Sequence, residues 1–135
     1  MPRDTFIIVP LLGYATLWLL GSLLFLAYFR LLGVPLDVHR PAAMVAGLPA
    51  PLAIATVPVC GFIAFFVTTR LSTAHLPAPT LELLLLGAVS LVVTVVLDLL
   101  ITVLGEHIDI RAYPINVMYV LAWLVIVPAV LLGGS

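Results

Sequence analysis

Four long apolar stretches fill most of the 135-residue chain, and each has about the length a helix needs to cross a bilayer. A hydrocarbon core of ~30 Å takes about 20 helical residues. The first stretch, residues 6–29, has no ionisable side chain. At ~1.5 Å per residue it reaches ~36 Å, enough to span with some tilt. The second covers residues 52–69, or starts as early as Ala42; the third covers 81–104, interrupted by one charge at Asp98; the fourth covers 114–132. Lipid offers no partner to backbone amides, so only helices and closed barrels cross it. These runs are continuously apolar and do not alternate. The expected fold is therefore all-α, a four-helix integral membrane bundle forming one transmembrane domain over residues 1–135. With 64% hydrophobic and 8% charged residues, the chain has too little polar surface for a water-soluble domain.

A cleavable signal peptide is the competing reading of the first stretch. The apolar run is too long for that, the leader Met1-Pro2-Arg3-Asp4 has almost no positive excess, and no small-x-small site lies beside Ala27. An uncleaved helix is expected. The three connections, residues 30–41, 70–79 and 105–113, are too short for a core of their own. An even number of spans puts both termini and the middle connection on one side. Arg3 and Arg70 lie there, against Arg30, Arg40 and Arg111 on the other side. The positive-inside rule then leans towards termini outside the cytoplasm, and so even a split also suits dual insertion. There is no lysine, hence no polybasic patch for nucleic acid.

Local signals set the boundaries. Thr80 is placed to cap the third helix with Glu82 in its first turn, Gly105 to stop it, and Pro114 to open the fourth. The second segment carries Pro41, Pro49, Pro51 and Pro58. Each proline removes an amide donor and crowds the preceding turn. A short lead-in, a break between residues 48 and 51, and a span kinked at Pro58 follow. A broken membrane helix can build an ion site, although an interfacial lead-in accounts for the pattern equally simply.

Polar chemistry within the spans is sparse. At 100° per residue, Gly87, Ser90, Thr94, Asp98 and Thr102 share one stripe of the third helix, which should face protein. Asp98 falls about a turn and a half from the helix end, so it is expected near an interface. A carboxylate there must be paired, hydrated or protonated. Arg30 is the first candidate partner, with Arg111, His107 and the Tyr119 hydroxyl behind it. Functionally Asp98 reads as a proton or cation site; structurally it reads as a latch between helices.

Asp37, His39 and Arg40 in the first loop face Glu106, His107, Asp109 and Arg111 in the third. These residue types can bind a divalent metal, but their spacing matches no metal signature and acids nearly balance arginines. A solvated, mutually paired loop surface is the expectation, with no metal and no cofactor. A lone Cys60 excludes an internal dithiol pair. No histidine lies within a span to hold haem, and no nucleotide or hydrolase motif occurs. Small four-span multidrug exporters carry an acid in their first helix, which here has only Tyr14, Thr16, Trp18 and Ser22. Trp18 and Trp123 lie deep in their spans, where helix packing is the simplest role for both.

Three short motifs, Tyr28-Phe29-Arg30-Leu31-Leu32-Gly33, Val96-Leu97-Asp98-Leu99-Leu100 and Tyr113-Pro114, resemble an uncharacterised family of small four-span bacterial inner-membrane proteins. The resemblance implies a four-helix fold in the plasma membrane, marks Asp98, Arg30 and Pro114, and supplies no activity. Three function classes remain. The first is an accessory subunit or helix-packing partner in a membrane assembly, suggested by short loops and by Gly13, Gly21, Gly61 and Gly87. The second is a small homo-oligomeric transporter or channel using Asp98. The third is a lipid-modifying enzyme using His39 and His107.

Overall fold

A computed structural model describes residues 2–37, 39–73, 78–105, 111 and 113–135, with no side-chain description of Ala42. Helix α1 is Thr5–Leu32, α2 is Pro41–Ala46 and α3 is Ala50–Ser72. Helix α4, Thr80–Asp98, continues as a π-helical segment, Leu99–Gly105. The last span consists of α5, Ile115–Leu124, and α6, Ile126–Gly134. Four spans result, and no strand occurs among the described residues. The chain is an all-α, multi-pass membrane bundle.

The proline-rich second segment is broken as its sequence requires. Pro41 opens α2, where a missing amide is harmless, Gly47 ends it, and α3 restarts behind Pro49 with Pro51 in its first turn. Pro58 lies inside α3. Gly33, at φ 69°, ends α1 in the left-handed conformation and donates its amide to the Phe29 carbonyl. One expected cap is displaced: Pro79 occupies the N-cap position and Thr80 is the first helical residue. Proline's extended φ already directs the chain into the helix, so no hydroxyl cap forms. Glu82 does fall in the first turn.

Two irregularities have no counterpart in the sequence reading. The π-helical segment widens the turn directly after Asp98. The last span pauses at Val125, three residues before Pro128, whose missing amide leaves the Leu124 carbonyl without its helical donor. Amides on both sides, from Val125 to Leu121 and from Ala129 to Val125, keep the rod continuous.

The spans form a ring: α1 packs antiparallel to α3, α3 parallel to the last span, the last span antiparallel to α4, and α4 parallel to α1. Gly13 faces Phe65 and Gly61 faces Leu17, so α1 and α3 pair with opposed numbering. The guanidinium of Arg70 donates to the Ser135 carbonyl at 3.3 Å, which brings the end of α6 beside the end of α3. This end of the bundle is called the terminal end below, and the opposite end the loop end.

The two ends are packed differently. At the terminal end glycines let backbones meet: a Cβ on Gly133 would stand 2.6 Å from the Phe66 carbonyl oxygen, and one on Gly87 would stand 3.3 Å from the Val127 Cα. Gly134 lies instead against the Leu83 side chain. Around these contacts Val9, Leu17, Cys60, Ala64, Phe65, Leu86, Ile126 and Val130 form the main core. Without a hydrophobic drive inside lipid, such close approach is what holds helices together. At the loop end α4 touches α5 only sparsely, and α2 packs Met44 and Val45 onto Phe29 and Ala53. The bundle is closed at one end and parted at the other. Gly133→Ala should therefore destabilise the protein by about 1–3 kcal/mol, because a backbone must shift. Gly21→Ala, with open space at its Cβ, should be neutral or stabilising by up to ~1 kcal/mol. Thermal unfolding in mild detergent checks both.

Candidate functional site

The buried residues of α4 and its π-helical continuation are Leu83, Leu86, Gly87, Ser90, Thr94, Asp98 and Thr102. The polar stripe expected from the sequence thus faces the bundle. Leucines and valines on the other faces of the helix, among them Leu81, Leu85, Val92 and Val96, are exposed to the membrane.

Asp98 is 4% exposed, and its carboxyl is held by two uncharged donors from two other spans. The Tyr14 hydroxyl donates to Oδ1 at 2.8 Å, and the Trp123 indole Nε1–H donates to Oδ2 at 2.8 Å. Tyr14 is the tenth residue of the 28-residue α1, and Trp123 the ninth of the 20-residue last span. The carboxyl therefore lies level with the middle of the last span, deeper than the near-interface position expected from its place on the third helix. Arg30 is exposed and does not reach it. The expected Asp98–Arg30 pair is replaced by the Tyr14 and Trp123 contacts. The reason is register: α1 continues past the aspartate towards the loop end, so Arg30 sits a long way above it.

Tyr119, another expected partner, donates instead to Thr102 Oγ1 at 3.0 Å and so ties the π-helical segment to α5. Two aromatic pairs flank the aspartate. Tyr14 meets Trp18 edge-on with ring centroids 6.3 Å apart, and Tyr119 meets Trp123 at 6.1 Å. On the terminal side of Asp98, one and two turns along α4, Thr94 Oγ1 and Ser90 Oγ are fully buried and have no hydrogen-bond partner.

Above the carboxyl, where the bundle parts, lies a half-open cavity of about 320 Å³. Asp98 is the sole contribution of α4 to its walls. Helix α1 lines it with Leu17, Trp18, Ser22 and Phe25; α5 adds Met118 and Tyr119. Val57 of α3 closes the back, and Pro41, Met44 and Val45 of α2 cover the loop end. Apart from the carboxyl, the walls are mostly carbon. The break in the second segment thus gives the cavity its roof.

The loop residues stand apart from this site. Asp37, His39 and Arg40 are exposed, with the Asp37 carboxylate accepting the His39 amide at 3.0 Å, a local turn. Arg111 is exposed, while Glu106, His107 and Asp109 lie outside the described residues. Among the described residues no group of three or more metal-ligating side chains occurs.

Tyr14 and Trp123 were the missed members of the site. Their signal was a polar hydrogen sunk in an otherwise apolar span, because a buried hydroxyl or indole N–H requires an acceptor. The chain matches no protein-family model, no curated protein and no solved structure. The resemblance to a four-span family rests on its three short motifs alone.

Removing either donor leaves a buried carboxyl oxygen unsatisfied. Tyr14→Phe and Trp123→Phe should each cost about 1–3 kcal/mol. Arg30→Ala should stay within ~0.5 kcal/mol of the parent. Detergent unfolding curves of the three variants separate the two partner sets.

Proposed function

We propose that this chain is a small, non-catalytic membrane transporter whose substrate site is the cavity above Asp98. The observation that carries the reading is a half-open, carbon-walled space ending on one buried carboxyl, level with the middle of a span. An acid at that depth costs about 2.5–3.5 kcal/mol on insertion scales and is a functional position by default. The unpartnered hydroxyls of Thr94 and Ser90 continue the polar line from Asp98 into the closed half. A polar line leading from an open half into a closed one suits a site reached from the two sides in turn.

The accessory-subunit reading draws on short loops, the lack of a catalytic motif, few buried charges and small residues open to an outside helix. Gly13, Gly61 and Gly87 are instead occupied by Phe65, Leu17 and Val127 of the same chain, and Gly21 borders the cavity. These glycines therefore no longer favour an outside partner over the chain's own helices.

In proteoliposomes, cation flux followed by trapped pH and potential dyes should vanish with Asp98→Asn. Thr94→Val removes a buried hydroxyl that bonds to nothing, so it should slow flux while leaving the fold as stable as the parent or more so. Unchanged flux in Asp98→Asn, or stoichiometric partner proteins retained through purification in mild detergent, would overturn the proposal in favour of an accessory role.

A further inference from the structure

Building on the transporter reading, we infer that the Asp98 cavity takes a small lipophilic organic cation, an ammonium carried on an apolar body. Charge complementarity is the first ground. Both hydrogen bonds to Asp98 come from neutral groups, and neither brings a positive charge. Two neutral donors on an ionised carboxylate leave its negative charge uncompensated, open to a cation that need not itself donate a hydrogen bond.

The walls select the rest of the ligand. A bare inorganic cation would exchange its water for six or more oxygens. Beside Asp98, the described side chains lining the cavity offer oxygen only from the hydroxyls of Ser22 and Tyr119. Aromatic faces suit a diffuse organic charge far better, because a cation held over a ring is attracted by its quadrupole. Trp18, Phe25, Phe29 and Tyr119 bring four rings to the lining, and Met44 and Met118 adapt to an irregular apolar body. An anion would meet the carboxylate directly.

Size and depth exclude the larger candidates. A helix is ≈ 10–12 Å across with its side chains, far too large for about 320 Å³. A phospholipid would have to draw its headgroup to the level of Trp123, in the middle of the last span. A small organic cation reaches that depth without bringing a phosphate or two acyl chains with it.

The chain has two tryptophans, and both report on this site: Trp18 lines the cavity and Trp123 bonds Asp98. The test is a fluorescence titration of the full chain in phosphatidylglycerol nanodiscs, whose lipid carries no ammonium. Benzyltrimethylammonium is the probe, and neopentylbenzene, its neutral isostere, is the control. Saturable binding of the cation is expected, weaker by roughly tenfold or more in Asp98→Asn, with no Asp98-dependent response to the isostere. Trp18→Leu, read through Trp123, should weaken the cation several-fold, and it decides the matter if Asp98→Asn does not fold.

Equal binding of the isostere, or undiminished cation binding by folded Asp98→Asn and by Trp18→Leu, overturns the cation assignment and leaves the cavity as a site for neutral molecules. Competitive loss of probe binding when phosphatidylcholine is mixed into phosphatidylglycerol, beyond the fall that the lower surface charge causes equally in Asp98→Asn, also overturns it, by showing a lipid headgroup in the cavity. No binding of either probe sinks both the assignment and the substrate site. Binding as expected together with Asp98-independent flux keeps the cation and removes the transporter.

Discussion

A single carboxyl joins spans that otherwise scarcely meet. Helix α1 and the last span stand across the ring from each other and share few direct contacts. Tyr14 of the one and Trp123 of the other both close on Asp98, which α4 presents from between them. In lipid an unsatisfied polar group has no water to fall back on, so the three side chains need one another. The grip fixes the height of α1 against the last span and places an acid where a latch and a ligand site coincide.

The rest of the architecture follows from what lies on either side of that grip. Towards the terminal end, Gly87 and Gly133 let backbones approach closely, and Gly134 seats the Leu83 side chain. Towards the loop end α4 touches α5 only sparsely, α4 relaxes into a π-helical segment, and Tyr119 holds that segment through Thr102. The widened turn begins at the residue after Asp98. The helix therefore changes form where the bundle changes from packed to parted. The proline break in the second segment lays α2 across the gap, so an apparent disruption of a span becomes the roof of a cavity.

The spans, the break near Pro49 and the inward stripe of α4 were legible because each follows from local rules: apolar length, missing proline amides and a 100° step. What failed was long-range. Arg30 looked like the natural partner of Asp98 because opposite charges attract, yet the vertical register of two helices is set by packing that no single helix displays. Tyr14 and Trp123 carried the right chemistry but read as ordinary aromatics, since a donor announces a need without naming its acceptor. The π-helical segment likewise has no compositional mark in Leu99–Gly105. The pause at Val125 did have one, in Pro128, hidden by an apolar run that seemed continuous. Glycines suited to an outside partner turned out to serve the chain's own helices, a distinction only the assembled bundle makes.

The hydrogen bond from Trp123 to Asp98 is open to direct observation. With only two indole groups in the chain, a proton–nitrogen NMR spectrum in nanodiscs gives two resolved indole signals. The Trp123 signal should be protected from exchange with heavy water and should move on Asp98→Asn, with the Trp18 signal moving less. Two indole signals that exchange freely and ignore that substitution would contradict a bundle organised around its buried carboxyl.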